Sequence, residues 1–278
     1  MYEKEKWIGM IVPTLDNSFF SSLAYYVERE MVLKNIGTLI VNSANDAENE
    51  IRYMKMFAEL GASGMISVSG LAEFPDDIFS EGFPLVWIDR IPKSKRPVPW
   101  VGNDDAGAME LATRYLLKKG SKNILLLPGY IAQGQDNLRV EGYRRALKKE
   151  GIPYDERYVL YRNGKKSSEA ETGELVVGAI KGGMPVDAII TSSDRAAFGA
   201  AHALQRIEYF VPEDIRLLSF DNSPYAALTS PALTTLDRKP EELASRACEV
   251  LAEMMEGKEK IHMENRIEVS LVERVSTR

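Results

Sequence analysis

Acidic, cationic and aromatic side chains in this chain stand just after apolar segments that have the pattern of strands. Asp221 follows one such segment, and Asp89 and Arg90 follow another. An Asp–Arg pair can bind adjacent hydroxyl groups through charge-assisted hydrogen bonds, each worth about 1.5–3 kcal/mol when well aligned, while its net charge stays near zero. The adjacent rings of Phe19 and Phe20 begin a predicted helix, and aromatic faces can stack on the apolar faces of a sugar ring. This combination is typical of a site that binds a small polyol.

Each of these residues also has a simpler interpretation. Asp89 and Arg90 alone indicate a solvated turn, and Arg139, at the start of a predicted helix, would cap that helix or form a surface ion pair. Phe20 would belong to the core, and Phe19 would act as a hydrophobic staple. Their common position favours a shared site instead, because open α/β sheets bind ligands at the carboxyl ends of their strands. The predicted ligand-binding residues are Asn17, Phe19, Phe20, Ser69, Asp89, Arg90, Gln135, Arg139, Ser193, Asp194, Asp221 and Arg238.

The elements that would position these residues alternate between strand-like and helical patterns, which indicates βα units. Strands are predicted at 7–12, 38–41, 65–68, 85–88, 98–101, 124–127, 158–161, 188–191, 215–220 and 267–272. Helices are predicted from 20 to a stop at Gly37, from 45 or 46 to 61, from 104 to 120 with Leu111 facing inward, and over 138–150, 169–180, 195–206 and 240–255. We therefore predict an α/β fold with two similar, doubly wound parallel-sheet lobes. No flexible tether separates the lobes, so short hinge crossings near Asn103 and Leu236 would join them and leave a cleft.

Composition and motifs argue against several classes of protein. The chain has 278 residues, enough for two domains, and a net charge of −6 without a dense basic block, which argues against nucleic-acid binding by these residues themselves. It contains no long apolar run and no signal peptide at its beginning, so we expect a cytoplasmic protein that contacts no membrane. Cys248 is the single cysteine, so an internal disulfide is excluded, and His202 and His262 lie on separate predicted elements. Phosphate-loop, dinucleotide-binding and hydrolase motifs are absent, so we expect neither an enzyme nor a cofactor or metal.

The order and spacing of several segments make the chain similar to the LacI/GalR family of bacterial transcription regulators. These segments are GMIVPTLDNSFF, GASGMISVSG, FPLVWIDR, NLRVEGYRRAL, AIITSSDRAAFGAAHAL and VPEDIRLLSFDNSPYAALTSPALTT. The resemblance covers the chain from about Ile8 to the terminal ERVSTR and extends to periplasmic ribose-type binding proteins. It implies a third hinge crossing near Arg266, and so two discontinuous lobes, 7–102 plus 239–266 and 103–238 plus 267–278.

The resemblance also implies roles for the predicted site residues. Phe19 and Phe20 would flank a sugar, with Asn17 assisting, and its hydroxyls would be bound by Asp89, Arg90, Arg139 and Asp221. Three positions depart from the family pattern: Ser193 replaces a common Asn, Arg238 replaces a common Gln, and Gly164 with Lys165 replaces an aromatic residue. The additional cation at Arg238 suggests the hypothesis that the effector is a sugar acid or a phosphorylated sugar.

By the same resemblance, the chain would sense a small-molecule effector, form a homodimer and control DNA binding by closure of its lobes. Operator DNA would be bound only through a helix-turn-helix headpiece, and only MYEKEK precedes the first strand, so the expectation is a core domain without that headpiece. The alternatives are a periplasmic-type sugar-binding receptor for transport and, for the effector, a purine or a sugar phosphate. The sequence identifies neither the effector nor the operator.

Overall fold

The structure, a computed structural model, describes residues 6–129, 137–164 and 167–278. By the contacts between its residues, the chain divides into two compact units, Met1–Asn103 with Lys239–Ile267 and Asp104–Arg238 with Glu268–Arg278. The chain therefore passes from one unit to the other after Asn103, after Arg238 and after Ile267. The sequence-based boundaries assign Asn103 and Ile267 to the second lobe, so two of the predicted crossings lie one residue too early. Both belong to unit 1, because each ends a strand of its sheet and Nδ2 of Asn103 donates to the carbonyl of Ile267 at 3.0 Å.

The described residues form eleven strands and seven α-helices. In chain order these are β1 (Trp7–Val12), α1 (Ser18–Val32), β2 (Gly37–Asn42), α2 (Ala47–Glu59), β3 (Gly64–Ser67), β4 (Leu85–Ile88), β5 (Trp100–Asn103), α3 (Asp105–Lys118), β6 (Ile124–Leu127), α4 (Leu138–Lys149), α5 (Ser168–Lys181), β7 (Ala188–Thr191), α6 (Asp194–Gln205), β8 (Arg216–Phe220), β9 (Thr234–Asp237), α7 (Pro240–Met255), β10 (Glu264–Ile267) and β11 (Ser270–Val272). None of the described helices is both long enough and apolar enough to cross a membrane.

Unit 1 contains a six-stranded parallel sheet in the order β10-β5-β4-β3-β1-β2. Helices α1 and α7 supply Leu23 and Leu251 to one hydrophobic cluster, and α2 supplies Phe57 to another. The central strands are buried along their whole length, which explains why their sequences are continuous apolar runs. Cys248 of α7 is buried in the first cluster, as predicted.

Unit 2 contains a five-stranded sheet in the order β11-β9-β8-β7-β6, in which only the β11–β9 pair is antiparallel. Helices α3 and α4 lie over one cluster and α5 and α6 over another. The α3 and α4 backbones approach closely at Gly142, where a Cβ atom would lie 2.1 Å from the carbonyl oxygen of Ala106. The expected α/β fold with doubly wound parallel sheets is confirmed.

Several predicted boundaries were wrong, and contacts distant in sequence explain the largest error. The predicted strand 267–272 is two strands: β10 pairs parallel with β5 in unit 1, and β11 pairs antiparallel with β9 in unit 2. The predicted strand 158–161 is instead a 3₁₀ turn, Glu156–Tyr158, followed by a single bridge from Val159 to Leu126. The strand β9 was missed, because its polar residues Thr234 and Thr235 hide its pattern.

Smaller errors concern the limits and faces of elements. Helix α1 ends at Val32, and Gly37, predicted to stop it, begins β2. Strand β5 lies two residues later than the predicted 98–101. Leu111 of α3 is 42% exposed, whereas Met109 is fully buried and takes the inward position.

Candidate functional site

The site residues of unit 1 follow the carboxyl ends of β1, β3 and β4. Oδ1 of Asn17 accepts the backbone N–H of Phe19 at 2.8 Å and so caps α1. The rings of Phe19 and Phe20 are both largely buried, at 3% and 7% exposure, and meet edge to face with centroids 5.3 Å apart. The structure thus places both rings in the core at the start of α1.

Asp89 and Arg90 come together with Phe20 at the end of β4. The Arg90 guanidinium lies 5.9 Å from the centroid of the Phe20 ring, and its Nε is 3.9 Å from Oδ2 of Asp89. Asp89 adopts a left-handed φ of 68°, which is uncommon for residues other than glycine, although Asp adopts it more often than most. Its backbone is held there, because its N–H donates to Val101 at 3.0 Å and its carbonyl accepts Nε1–H of Trp100 at 3.2 Å. These two hydrogen bonds therefore fix the backbone position from which the Asp89 carboxylate extends.

Glu50 is a residue of this edge that the sequence did not single out, because an acid in the first turn of a helix is normally a solvated partner of the helix dipole. Here it is 1% exposed, and Oε2 accepts the backbone N–H of Gly70 at 2.8 Å. The hydroxyls of Ser67 and Ser69 also interact with it, and its burial raises the pKa of the Glu50 carboxyl. Ser69 in turn accepts the N–H of Leu71 at 3.1 Å. Glu50 therefore fixes the turn in which the predicted site residue Ser69 lies.

Arg139 is the centre of a prearranged group in unit 2. Its Nε donates to Oδ2 of Asp105 at 3.0 Å and its Nη1 donates to the carbonyl of Ser192 at 3.0 Å. Its guanidinium stacks 4.3 Å from the centroid of Phe220, the residue before Asp221. The other oxygen of Asp105, Oδ1, is buried and has no hydrogen-bond partner within the described chain. The sequence predicted only that Asp105 begins α3. Asp105 is therefore, after Glu50, the second residue of the site that sequence reasoning missed.

Asp221 and Asn222 form a left-handed turn after β8, with φ values of 104° and 51°. Two later residues hold this turn through Asn222. The Asn222 N–H donates to Oγ1 of Thr235 at 3.2 Å, and Nη2 of Arg274 donates to Oδ1 of Asn222 at 2.7 Å. The next N–H, of Ser223, donates to Asp194 at 2.6 Å. The position of Asp221 is therefore set by residues up to 53 positions away, because Arg274 belongs to the terminal ERVSTR.

Arg238 faces Asp221 inside unit 2. The two side chains are each 4% exposed, and Nη1 of Arg238 is 3.8 Å from Oδ1 of Asp221. At this distance the two charges largely balance, so the cation at Arg238 is not an excess charge of the kind that the sequence suggested.

Ser193 and Asp194 begin α6 and serve its local structure. Oγ of Ser193 accepts the N–H of Ala196 at 3.2 Å and caps the helix. The Asp194 carboxylate is 1% exposed and also accepts the hydroxyls of Ser219 at 2.5 Å and Thr235 at 2.9 Å, and burial raises its pKa. The predicted site residue Gln135 lies outside the described residues. No group of three or more potential metal-binding side chains occurs in 6–129, 137–164 or 167–278.

Comparisons with known proteins identify the family of this fold. Residues 113–277, more than half of the chain, match the family described as periplasmic binding protein-like domain. The HTH-type transcriptional repressor PurR of Vibrio parahaemolyticus is 29% identical over 256 residues, which cover 91% of this chain and 75% of that protein.

Two solved structures are also similar. A putative transcriptional regulator of the LacI family from Sanguibacter keddieii is 27% identical, with a TM-score of 0.87 and 99% of each chain covered. A LacI family transcriptional regulator from Enterococcus faecium with bound ribose is 25% identical, with a TM-score of 0.84 and 98% of each chain covered. The resemblance to LacI-type regulators is therefore confirmed, and this chain belongs to the periplasmic binding protein-like domain family.

Proposed function

We propose that this chain is the effector-sensing domain of a transcription regulator, and that the residues at the carboxyl edges of its two sheets bind one small sugar or sugar derivative. Phe19, Phe20, Asp89 and Arg90 act from unit 1, and Arg139 and Asp221 act from unit 2. Closure of the two lobes on the effector then changes how a homodimer holds its DNA-binding segments. Coupling energies of about 1–3 kcal/mol between effector and DNA are typical of such regulators.

The observation that best supports this proposal is the preorganised group around Arg139. Its guanidinium is fixed by contacts within the protein itself, with Asp105, the Ser192 carbonyl and the Phe220 ring. Fixed donors bind a ligand with less loss of side-chain entropy than mobile ones. The buried Oδ1 of Asp105, unpaired within the described residues, supplies an acceptor for a hydroxyl beside these donors.

A sugar-bound relative supports the choice of ligand class. The Enterococcus faecium regulator carries ribose and shares the fold along nearly the whole chain. We extend this ligand class to the present chain because its two edges offer the carboxylates and guanidinium groups that suit a polyol.

The test is a thermal-shift panel of monosaccharides, sugar acids, sugar phosphates and purine bases, with D-ribose as the first probe. A ligand at about 100 times its Kd should add roughly 2.7 kcal/mol of apparent stability. Arg139→Ala and Asp221→Ala should abolish this shift. Arg145→Ala is the matched control, because Arg145 lies on the same helix and forms an exposed ion pair with Glu141.

Two results would contradict the proposal. One is that no sugar or sugar derivative raises the melting temperature of the wild-type protein at millimolar concentration. The other is that Arg139→Ala, folded by circular dichroism, keeps the full shift. Turnover of the ligand into a product would point to an enzyme instead.

A further inference from the structure

A second arginine of unit 2, Arg162, lies at the same edge of the sheet as Arg139. The parallel bridge between Leu126 and Val159 sets the register, so three residues later Gly129 and Arg162 are neighbours. Nη2 of Arg162 is 4.0 Å from the place where a Cβ atom of Gly129 would be. Arg162 therefore reaches the carboxyl end of β6.

Gly129 also allows a close approach of Ser192. Its φ is 100°, and an added Cβ would lie only 3.0 Å from Cβ of Ser192. A side chain here would be strained and would press on Ser192. Because the Ser192 carbonyl accepts Nη1 of Arg139 at 3.0 Å, the Gly129–Ser192 contact links two guanidinium groups at the ends of β6 and β7.

Arg162 differs from the other arginines of this edge in its charge balance. Three arginines of this edge have carboxylate partners: Arg139 with Asp105 at 3.0 Å, Arg195 with Glu169 at 2.6 Å and Arg238 with Asp221 at 3.8 Å. Within the described residues, Arg162 has no carboxylate within ion-pair distance, and its buried Nε has no hydrogen-bond acceptor. Its burial lowers the pKa of the guanidinium, and the more distant Glu171 and Glu169 offset this in part.

A buried guanidinium donor without an acceptor is costly, and an anionic ligand would satisfy it. Planar guanidinium groups bind carboxylate and phosphate oxygens in pairs, which favours these groups over a neutral hydroxyl. Gly164, close in sequence, has no side chain, so this edge offers a cation and no ring at that point.

We propose that Arg162 forms an anion-binding subsite beside Arg139 at the ends of β6 and β7, and that this subsite selects sugars bearing a carboxylate or a phosphate group. This inference rests on the proposed function, since it specifies the effector of that same site. It replaces Arg238 as the source of the preference, because Arg238 is paired with Asp221.

The test compares neutral sugars with their anionic derivatives by isothermal titration calorimetry on the whole chain. The probes are D-ribose against D-ribose 5-phosphate, and D-glucose against D-gluconate and D-glucose 6-phosphate, so that the carboxylate and phosphate arms are separate. At least one anionic sugar should bind about tenfold or more tightly than its neutral partner, the factor expected for one well-aligned charge-assisted contact. Arg162→Gln should remove this preference and leave the affinity for neutral sugars within about twofold.

Arg216→Gln is the matched control. Nε of Arg216 is also buried without an acceptor in the described chain, but this residue begins β8 and so lies at the opposite end of the strands. It should keep the preference for anionic sugars. If Arg162→Gln does not fold, Arg162→Lys provides the second variant. It keeps the positive charge but loses the planar guanidinium, so the ratio of affinities for anionic and neutral sugars should fall by more than half.

The outcomes separate this inference from the proposed function. Neutral and anionic sugars that bind equally well would overturn the inference and leave the proposed function intact. The inference also fails if Arg162→Gln keeps the anion preference, or if Arg216→Gln loses it as completely. Absence of binding by every sugar in the panel would overturn the proposed function and this inference together.

Discussion

Replacing Arg139 by lysine is the sharpest test of how the unit 2 site is built. The guanidinium makes three contacts at once: Asp105, the Ser192 carbonyl and the face of Phe220. A lysine ammonium is a single point charge without a planar face, so it can keep one of the two hydrogen bonds but not both, and it loses the stacked contact. Positive charge is conserved, so the experiment isolates geometry.

The magnitude follows from the lost contacts. One charge-assisted hydrogen bond is worth about 1.5–3 kcal/mol, and a cation–π contact of this kind about 0.5–2 kcal/mol. Arg139 is 14% exposed at its side chain, so water can replace part of the lost hydrogen bonding. We expect a net loss of about 1–3 kcal/mol. At about 2–4 °C per kcal/mol for a domain of this size, the melting temperature should fall by roughly 2–12 °C.

The assay is thermal unfolding followed by circular dichroism, without ligand, for the wild type, Arg139→Lys and Arg145→Lys. Arg145 lies on the same helix, and its ion pair with Glu141 is about half exposed at both side chains. Its replacement should therefore change the melting temperature by less than about 2 °C. An unchanged melting temperature in Arg139→Lys, or an equal fall in Arg145→Lys, would refute the preorganised geometry described above.

Two further predictions concern stability. The folded-state pKa of Glu50 is raised by burial, so ionisation of this carboxyl destabilises the fold as pH rises above the unfolded-state pKa of about 4.3. The melting temperature of the wild type, relative to that of Glu50→Gln, should therefore fall between about pH 4.3 and neutrality. A difference between the two proteins that does not change with pH would contradict this. Gly142→Ala should destabilise by about 1–3 kcal/mol, because its Cβ would lie 2.1 Å from a backbone oxygen of α3. Gly178→Ala, in α5 with no atom within 4 Å of the added Cβ, should instead stabilise the fold by about 0.5–1 kcal/mol. Urea unfolding measures both free energies of unfolding; equal effects of the two substitutions would show that the contact with Ala106 does not matter.

Local patterns predicted the α/β fold and most of its elements, because the periodicities of strands and helices depend only on residues close in sequence. The strands β4 and β6 and the helix α7 have the predicted limits. The placement of Asp89 and Asp221 after strand ends also follows from local sequence, since each comes directly after its apolar run. How these side chains bind an effector stays a prediction.

The chemistry around each site residue could not be predicted in this way, because it depends on partners distant in the chain. Glu50 has the sequence context of a solvated helix-start acid, and only the turn at Gly70 makes it a buried acceptor. Asp105 meets Arg139 across 34 positions, and Arg274 reaches Asn222 across 52.

The sequence by itself therefore determined the class of fold, the order of its elements and the types of side chain at the ends of its strands. Tertiary structure alone decided which of those side chains are buried, which are paired and which have a donor without an acceptor among the described residues. It also split the last predicted strand between two sheets. The physical reason is that periodicity reports which face of an element is apolar, whereas desolvation and charge pairing depend on the atoms that folding brings into contact.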